Sequence, residues 1–315
     1  MPRTMLVTGG AGFIGSHLAT ALVERGDRVR VLDDFSTGKR ANLKGVEAKI
    51  ELVEGSLLDA AAVAKAVAGV DCIFHEAALA SVPRSLEFPL DTHAACATGT
   101  LMLLDAARRA GVRRLVYAAS SAAYGNQPTP RKAETARPEP ISPYGAAKLA
   151  AEHYCQAFYA SYGFEAVSIR YFNVFGPRQD ADSPYSAVIP LFVRALMSGQ
   201  PPVIYGDGSQ SRDFTYVANV VHGNLLAADA PQAPGKVINV AMGSSINLLD
   251  LLANLQKLLG TKITPRFEPP RAGDVRESIA DISLAREVLG YEPKIGFAEG
   301  LERSIEYYRQ GASQR

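Results

Sequence analysis

Short apolar runs alternate with longer segments of helical periodicity through the first half of the chain. Apolar runs bounded by turn residues are typical of strands that a parallel sheet buries on both faces. The predicted strands cover residues 5–8, 28–33, 49–53, 72–75, 115–119 and 166–170. The predicted helices run from the turn after the first strand to residue 25, over 60–68 and 94–110, and onward from residue 144. This alternation predicts an α/β fold with a doubly wound, Rossmann-like parallel sheet.

Beyond residue 176 the pattern becomes mixed, after two loops rich in Pro and Gly. Helices are predicted near 188–198, 217–228, 248–259 and 298–308, and strands at 203–205 and 237–240. We therefore expect a first domain over residues 1–175 and a smaller C-terminal α/β domain over 176–315. Residues from roughly 213 to 242 are expected to return to the first sheet.

The composition is typical of a globular protein and indicates no strongly charged partner. The 315 residues are 47% hydrophobic and carry a net charge of +1, so neither nucleic acid nor an anionic membrane is an expected partner. No apolar segment has membrane-spanning length, and a glycine-rich turn interrupts the first apolar run, so no signal peptide is predicted. Cys72, Cys96 and Cys155 are widely spaced, which favours free thiols in the cytoplasm. The five His have no metal-ligand spacing, and no metal is expected.

A glycine-rich turn joins the first predicted strand to the first helix. Gly9, Gly12 and Gly15 allow a tight turn, close approach of a pyrophosphate and close helix packing. The helix N-terminus adds free N–H groups that favour an anion. Asp33 ends the second strand, where an acid accepts hydrogen bonds from an adenosine ribose and favours NAD over NADP. Lys39 and Arg40 follow closely, so the strictness of this preference stays open.

Tyr144 and Lys148 are four residues apart, which places a phenol and an ammonium on one helix face. A free phenol titrates near ~10, so a base at pH 7 needs its pKa lowered by about 3, or roughly 4 kcal/mol. One cation at about 4 Å in a partly shielded site supplies a similar amount. Taken alone, the pair is equally typical of a solvated helix face.

Six segments together resemble the extended short-chain dehydrogenase/reductase family, in its UDP-hexose 4-epimerase branch. They are residues 9–15, 119–125, the Tyr144/Lys148 pair, 170–173, 212–214 and 271–274. The resemblance spans the whole chain. It implies an NAD-binding first domain, a nucleotide-sugar-binding second domain and a homodimer formed through the helices at 94–110 and 144–162.

The resemblance also implies a set of site residues. Ser120, Tyr144 and Lys148 are the implied catalytic residues, with Ser120 chosen over Ser121 by register. The implied NAD-binding residues are Gly9, Gly12, Phe13, Ile14, Gly15, Asp33, Asp34, Ser36, Gly38, Ser56, Leu57, Ala77, Ala78, Ala80, Tyr144, Lys148 and Phe172. The implied UDP-sugar-binding residues are Ser120, Ser121, Tyr144, Asn173, Val188, Tyr205, Arg212, Arg271, Asp274 and Ser278.

The implied reaction inverts C4 of a UDP-hexose through a 4-keto sugar, with Tyr144 as the base and NAD as a resident cofactor. Related dehydratases carry Thr-Asp-Glu at positions 120–122, and decarboxylases carry Glu where Ala122 stands. A uronate 4-epimerase, a decarboxylase or a dehydratase stays an alternative, as does a non-catalytic NAD-binding regulator. Ser278 and the loop at residues 80–85 resemble those of enzymes that accept UDP-N-acetylglucosamine. Ser56 and Cys96 depart from the family's usual Asp and Asn.

Overall fold

The computed structural model describes residues 2–180, 186–270 and 276–312. In these ranges the strands are β1 (Thr4–Thr8), β2 (Arg28–Asp33), β3 (Ile50–Glu54), β4 (Cys72–His75), β5 (Arg114–Ser120), β6 (Arg131–Lys132), β7 (Glu165–Tyr171), β8 (Val174–Phe175), β9 (Val203–Tyr205), β10 (Ser211–Arg212), β11 (Thr215–Tyr216), β12 (Val237–Val240), β13 (Ile246–Asn247), β14 (Arg266–Glu268) and β15 (Glu277–Ala280). The helices are α1 (Phe13–Arg25), α2 (Ala60–Val67), α3 (Val82–Glu87), α4 (Pro89–His93), α5 (Gly99–Arg109), α6 (Pro143–Tyr162), α7 (Val188–Met197), α8 (Val217–Asp229), α9 (Leu248–Leu259), α10 (Ser283–Leu289) and α11 (Phe297–Ala312).

Within the described residues, a seven-stranded parallel sheet forms the centre of the molecule, in the order β12-β7-β5-β4-β1-β2-β3. The chain builds outward from β1 to β3 on one side, then crosses back to place β4 beside β1. This reversal leaves a crevice at the carboxyl ends of β1 and β4, where doubly wound proteins bind their ligands. The predicted fold class is confirmed.

Both faces of the sheet are buried. Met5 and Val7 of β1 pack toward α1 and α8 on one face, in a core that includes Leu18 and Val220. Leu6, between them in sequence, packs with the residues of α2, α5 and α6 on the other face. Alternate residues of one strand therefore serve opposite cores, which explains the unbroken apolar runs of the sequence.

A second group of elements lies against the carboxyl edge of this sheet. Its four-stranded sheet has the order β13-β10-β15-β6, and α7, α9 and α11 supply a third hydrophobic core. Strand β12, in the segment expected to return, pairs with β7 of the large sheet. Strand β6, from the first half of the chain, pairs with β15. The division at residues 175/176 stays a prediction.

The strongly periodic segments were predicted closely, but residues 82–98 were not. Short helices α3 and α4 each carry a proline in their first turn, which interrupts the periodicity that a sequence pattern detects. The predicted helix at 94–110 begins with a π-helical turn (Ala94–Thr98) before α5. No helix in the described ranges is long and apolar enough to cross a membrane.

Candidate active site

A cleft of about 2290 Å³ opens where the carboxyl edge of the large sheet faces the second group of elements. Most of the predicted site residues line it: Gly9, Gly12, Phe13, Ile14, Gly15, Asp33, Asp34, Ser36, Gly38, Ser56, Leu57, Ala77, Ala78, Ala80, Ser120, Ser121, Tyr144, Phe172, Asn173, Val188, Tyr205, Arg212 and Ser278. Lys148 lies beneath this surface and is 3% exposed. Arg271 and Asp274 lie outside the described residues.

The glycine-rich turn leaves no space for side chains. Gly9 has a φ of +67°, and a Cβ there would lie 2.7 Å from the Cα of Ala77. A Cβ at Gly15 would overlap the carbonyl oxygen of Gly9. No side chain caps α1 at Gly12, so the N–H groups of its first turn face the cleft. This cradle fits the diphosphate of a dinucleotide.

Asp33 is held beside this turn by two backbone N–H groups. Ala11 N donates to Oδ2 and Phe35 N donates to Oδ1, both at 2.8 Å. Burial raises the pKa of this carboxyl, although the two hydrogen bonds oppose the rise. Each oxygen keeps a lone pair that could accept a ribose hydroxyl.

The two cations near Asp33 are engaged elsewhere. Lys39 forms an ion pair with Asp180 at 3.0 Å, across the mouth of the cleft. Arg40 pairs with Glu54 and lies 4.4 Å from the centre of the Phe35 ring. Neither contact favours a 2′-phosphate, which supports the preference for NAD.

The catalytic candidates come from the end of β5 and the start of α6. Ser142 caps α6 by accepting a hydrogen bond from Gly145 N at 3.1 Å, and Pro143 follows in the first turn. These two residues fix where the helix begins and so place Tyr144 at the cleft. The Ser120 and Tyr144 side chains both line the cleft and lie close enough to interact. The two residues are 24 positions apart in sequence, and the family resemblance places both in the implied catalytic set.

The electrostatics of Tyr144 differ from the sequence prediction. Burial raises the pKa of its phenol, and the nearby Glu76 carboxylate raises it further, while the interaction with Ser120 lowers it. Burial also lowers the pKa of Lys148, whose Nζ lies 4.5 Å from the centre of the Tyr117 ring. In the protein alone the pKa of this phenol is therefore raised and not lowered, and the predicted effect of Lys148 on it stays a prediction.

A buried hydrogen-bonded column supports the floor of the site. Thr100 donates to the carbonyl oxygen of Cys96 at 2.6 Å, so it must accept from His75 Nε2 at 2.8 Å. His75 Nδ1 then accepts from Thr8 at 2.7 Å. Burial lowers the pKa of His75 to about 3, so the imidazole is neutral and structural. Cys96, the departure noted in the sequence, is buried in this column.

The far end of the cleft brings together residues that are distant in sequence. Arg212 of β10 and Ser278 of β15 are register partners on adjacent parallel strands. Asp213, the residue after Arg212, points away from the cleft. Its carboxyl accepts hydrogen bonds from Met242 N and Gly243 N at 2.9 Å each and from Ala280 N at 3.2 Å. Asp213 is therefore a structural part of the Arg212–Phe214 motif.

The sequence matches the NAD dependent epimerase/dehydratase family over residues 5–241. The chain belongs to this family. The resemblance drawn from the motifs is confirmed.

Among the described residues, no group of three or more His, Cys, Asp or Glu could hold a metal ion.

Relatives in this family cover nearly the whole chain. The UDP-glucose 4-epimerase of Mycolicibacterium smegmatis is 38% identical over 308 residues, which are 96% of this chain and 98% of that protein. The UDP-N-acetylglucosamine 4-epimerase of Methanobrevibacter ruminantium, solved with UDP-N-acetylmuramic acid, has a TM-score of 0.94 and 38% identity, covering 98% and 99% of the two chains. The UDP-glucose 4-epimerase of Thermotoga maritima, solved with UDP-glucose, also has a TM-score of 0.94, with 37% identity over 98% and 100%.

Sequence reasoning missed two residues of this epimerase/dehydratase cleft. Glu76 and Tyr171 both line it, and the Tyr171 hydroxyl donates to Glu76 Oε1 at 2.7 Å. Glu76 directly follows β4, as Asp33 ends β2. The rule that found Asp33, an acid at the carboxyl end of a parallel strand, would also have found Glu76.

Proposed function

We propose that this chain is an NAD-dependent UDP-hexose 4-epimerase, which inverts C4 of the hexose through a 4-keto sugar. The observation that carries this proposal is that Ser120, Tyr144 and a glycine turn shaped for a dinucleotide line one cleft, with Lys148 buried beneath its surface. The relatives that act on UDP-glucose and UDP-N-acetylglucosamine support the same reaction class.

In this proposal each residue has one role. Bound NAD supplies the acceptor and donor of the hydride at sugar C4. Tyr144 removes the proton of the 4-hydroxyl through Ser120 and later returns it, and the Lys148 ammonium lies beneath them. Asn173 and Arg212 contact the sugar and the diphosphate, a role in which the guanidinium pairs with phosphoryl oxygens. Arg271 and Asp274 are proposed ligands outside the described residues.

In the protein alone, the charge of the Lys148 ammonium does not offset the burial of the Tyr144 phenol. Its pKa is raised by burial, so at neutral pH the phenol is protonated. An oxidised nicotinamide ring is a cation, and its charge would favour the phenolate. The base is therefore expected to become effective only in the complex with NAD, and not in the protein without it.

The substrate range follows from the far end of the cleft. Ser278 is small and half-buried there, next to Arg212. This leaves room for an N-acetyl group, so both the UDP-glucose and UDP-N-acetylglucosamine pairs are proposed substrates. Ala122 offers no acid or base at the position where dehydratases and decarboxylases have one, which disfavours those alternatives.

We infer that the enzyme is a cytoplasmic homodimer. Exposed apolar side chains lie on α3, α4 and α6, with Leu86 64%, Leu90 82% and Tyr154 39% exposed. Helices α3 and α4 both pack against α6, so these side chains are on neighbouring elements. The free cysteines, all buried, suit a reducing compartment. Light scattering on a sizing column measures the oligomeric state, and a monomer would contradict the dimer.

One comparison tests the function. The purified protein is incubated with UDP-galactose, UDP-N-acetylgalactosamine and UDP-glucuronate in separate reactions, and products are identified by NMR. Interconversion of the first two pairs is expected, with little change of the uronate. Because the chain has no Trp, retained NAD should give a high absorbance at 260 nm relative to 280 nm. Retained NAD without conversion of any sugar would favour the regulator alternative.

A further inference from the structure

Glu76 is fixed in the cleft by a hydrogen-bonded chain of defined direction. Asn224 Nδ2 donates to the Tyr171 hydroxyl at 2.7 Å. That oxygen uses its own proton to donate to Glu76 Oε1, also at 2.7 Å. The amide can only donate through its nitrogen, so Glu76 is the acceptor at the end of this chain. The bond holds one carboxyl oxygen of Glu76 in place.

Lys148 has two carboxylates in its surroundings, and they are not equivalent. Glu76 and Glu152 both raise the pKa of the Lys148 ammonium, against the lowering caused by burial. Glu152 forms a bidentate ion pair with Arg170, whose Nε and Nη2 donate to the two carboxyl oxygens at 2.8 and 2.6 Å. The charge of Glu152 is thus largely balanced by Arg170. Glu76 has a neutral hydroxyl as its hydrogen-bond partner.

We propose that Glu76 is a positioning residue for the reaction, whose buried carboxylate is the counter-charge that keeps the Lys148 ammonium ionised beneath Tyr144. This inference rests on the proposed epimerase function. It assigns a role to a residue that lines the cleft but lies outside the Ser120, Tyr144 and Lys148 set.

The groups around Glu76 determine the sign of its effect. Lys148 Nζ lies 4.5 Å from the centre of the Tyr117 ring, and that ring lies 5.5 Å from the ring of the neutral His75, which precedes Glu76 on β4. The other titratable groups near Glu76 are Tyr144 of α6 and Tyr171 of β7. Burial raises the pKa of Glu76 to about 7, although Tyr171 and Lys148 oppose the rise. Its negative charge raises the pKa of both Tyr144 and Lys148. Removing that charge must therefore lower both.

Glu76→Gln is the direct test, because the amide oxygen can still accept from Tyr171 but carries no charge. In a plot of kcat against pH, both limbs should move to lower pH, the acidic limb reporting Tyr144 and the alkaline limb Lys148. We expect the alkaline limb to move by about one pH unit. The acidic limb should move less, since Glu76 itself loses its charge near pH 7.

Two variants separate charge from folding. Glu76→Asp keeps a carboxylate and should restore the positions of the limbs at least in part. Glu302→Gln removes an exposed carboxylate of α11 that does not line the cleft, and should leave both limbs in place. If Glu76→Gln lowers the maximum kcat but leaves both limbs of the pH plot in place, the proposal is overturned, because a purely structural role predicts that result.

A second readout needs no activity. Carbon-13 NMR of the protein labelled at its glutamate carboxyls, with Glu76 identified by its loss in Glu76→Gln, should show a carboxyl titrating near pH 7. Tyr171→Phe should raise that value further, because it removes the donor. A Glu76 carboxyl that stays protonated over the whole pH range of kcat would refute the proposal, because a neutral group is no counter-charge. If the wild type converts no sugar, this measurement still decides the state of Glu76 while the proposed function fails.

Discussion

Tyr144 presents its hydroxyl to Ser120 in a partly desolvated position, and the proposed chemistry depends on that one oxygen. Tyr144→Phe removes it and little else, so the fold and NAD binding should persist. We expect kcat to fall by about 10²–10⁴-fold, the usual contribution of a positioned acid–base group. Tyr154→Phe, a change to a partly exposed tyrosine of the same helix, is the matched control and should be fully active. Equal activity in the two variants would show that the base is another group.

Ser278 controls how much room the far end of the cleft offers. In Ser278→Tyr, the larger side chain next to Arg212 should hinder an N-acetyl group more than a hydroxyl. The ratio of kcat/KM for UDP-N-acetylglucosamine to that for UDP-glucose should fall about tenfold, or roughly 1.4 kcal/mol. Ser283→Tyr, at the exposed start of α10, should leave the ratio unchanged. A parallel loss for both sugars would mean that Ser278 does not select between them.

At the scale of single residues, the sequence indicated which side chains form the site but not how the fold shifts their pKa values. The spacing of Tyr144 and Lys148 suggested that pair, and the family resemblance supplied Ser120 and the implied roles of all three. The direction of the Tyr144 pKa could not be predicted, because it depends on how much water the folded chain excludes. Glu76 could have been found from its place after β4, but its bond with Tyr171, 95 positions away in sequence, could not.

Among the structural elements, the turn between β1 and α1 tolerates least change. Gly15→Ala would force its methyl group against the carbonyl oxygen of Gly9, and the turn would have to open. We expect loss of NAD binding, measured by calorimetry, together with a lowered melting temperature. Gly45→Ala is the control, because nothing lies within 4 Å of an added Cβ there. Normal NAD affinity in Gly15→Ala would contradict the role of this turn as the cradle.

Elements with strong periodicity were predicted almost to the residue. The bounds of β2, β4, β9, β12 and α9 agree with the sequence prediction, because each is a clean apolar run between turn residues. Strands of two residues, such as β6 and β10, carry no pattern of their own. They exist because a distant strand pairs with them, and pairing partners such as β15 are set by the tertiary fold.

For the molecule as a whole, Asp213 is one of the residues that join the two sheets. Its carboxyl accepts N–H groups from the loop after β12, in the large sheet, and from Ala280 of β15, in the small one. Asp213→Ala would leave these buried donors unsatisfied. We expect a loss of about 3 kcal/mol in the free energy of unfolding, measured with urea.

A matched change distinguishes this role from a general loss of charge. Asp207 is an exposed aspartate whose hydrogen bonds go to Ser209 within its own turn. Asp207→Ala should therefore shift the urea midpoint much less than Asp213→Ala. Equal shifts would indicate that Asp213 does not couple the two sheets.

The edge strand β12 has a consequence for how the protein is made. It pairs with β7, whose last residue is Tyr171, yet the chain must be extended to Val240 before this strand exists. At about 5–20 residues per second, a nascent chain would wait roughly 3 to 14 seconds with an open apolar edge. An open edge is a template for association with another chain. During that interval on the ribosome, the unfinished sheet is the part of the nascent chain that we expect a chaperone to bind.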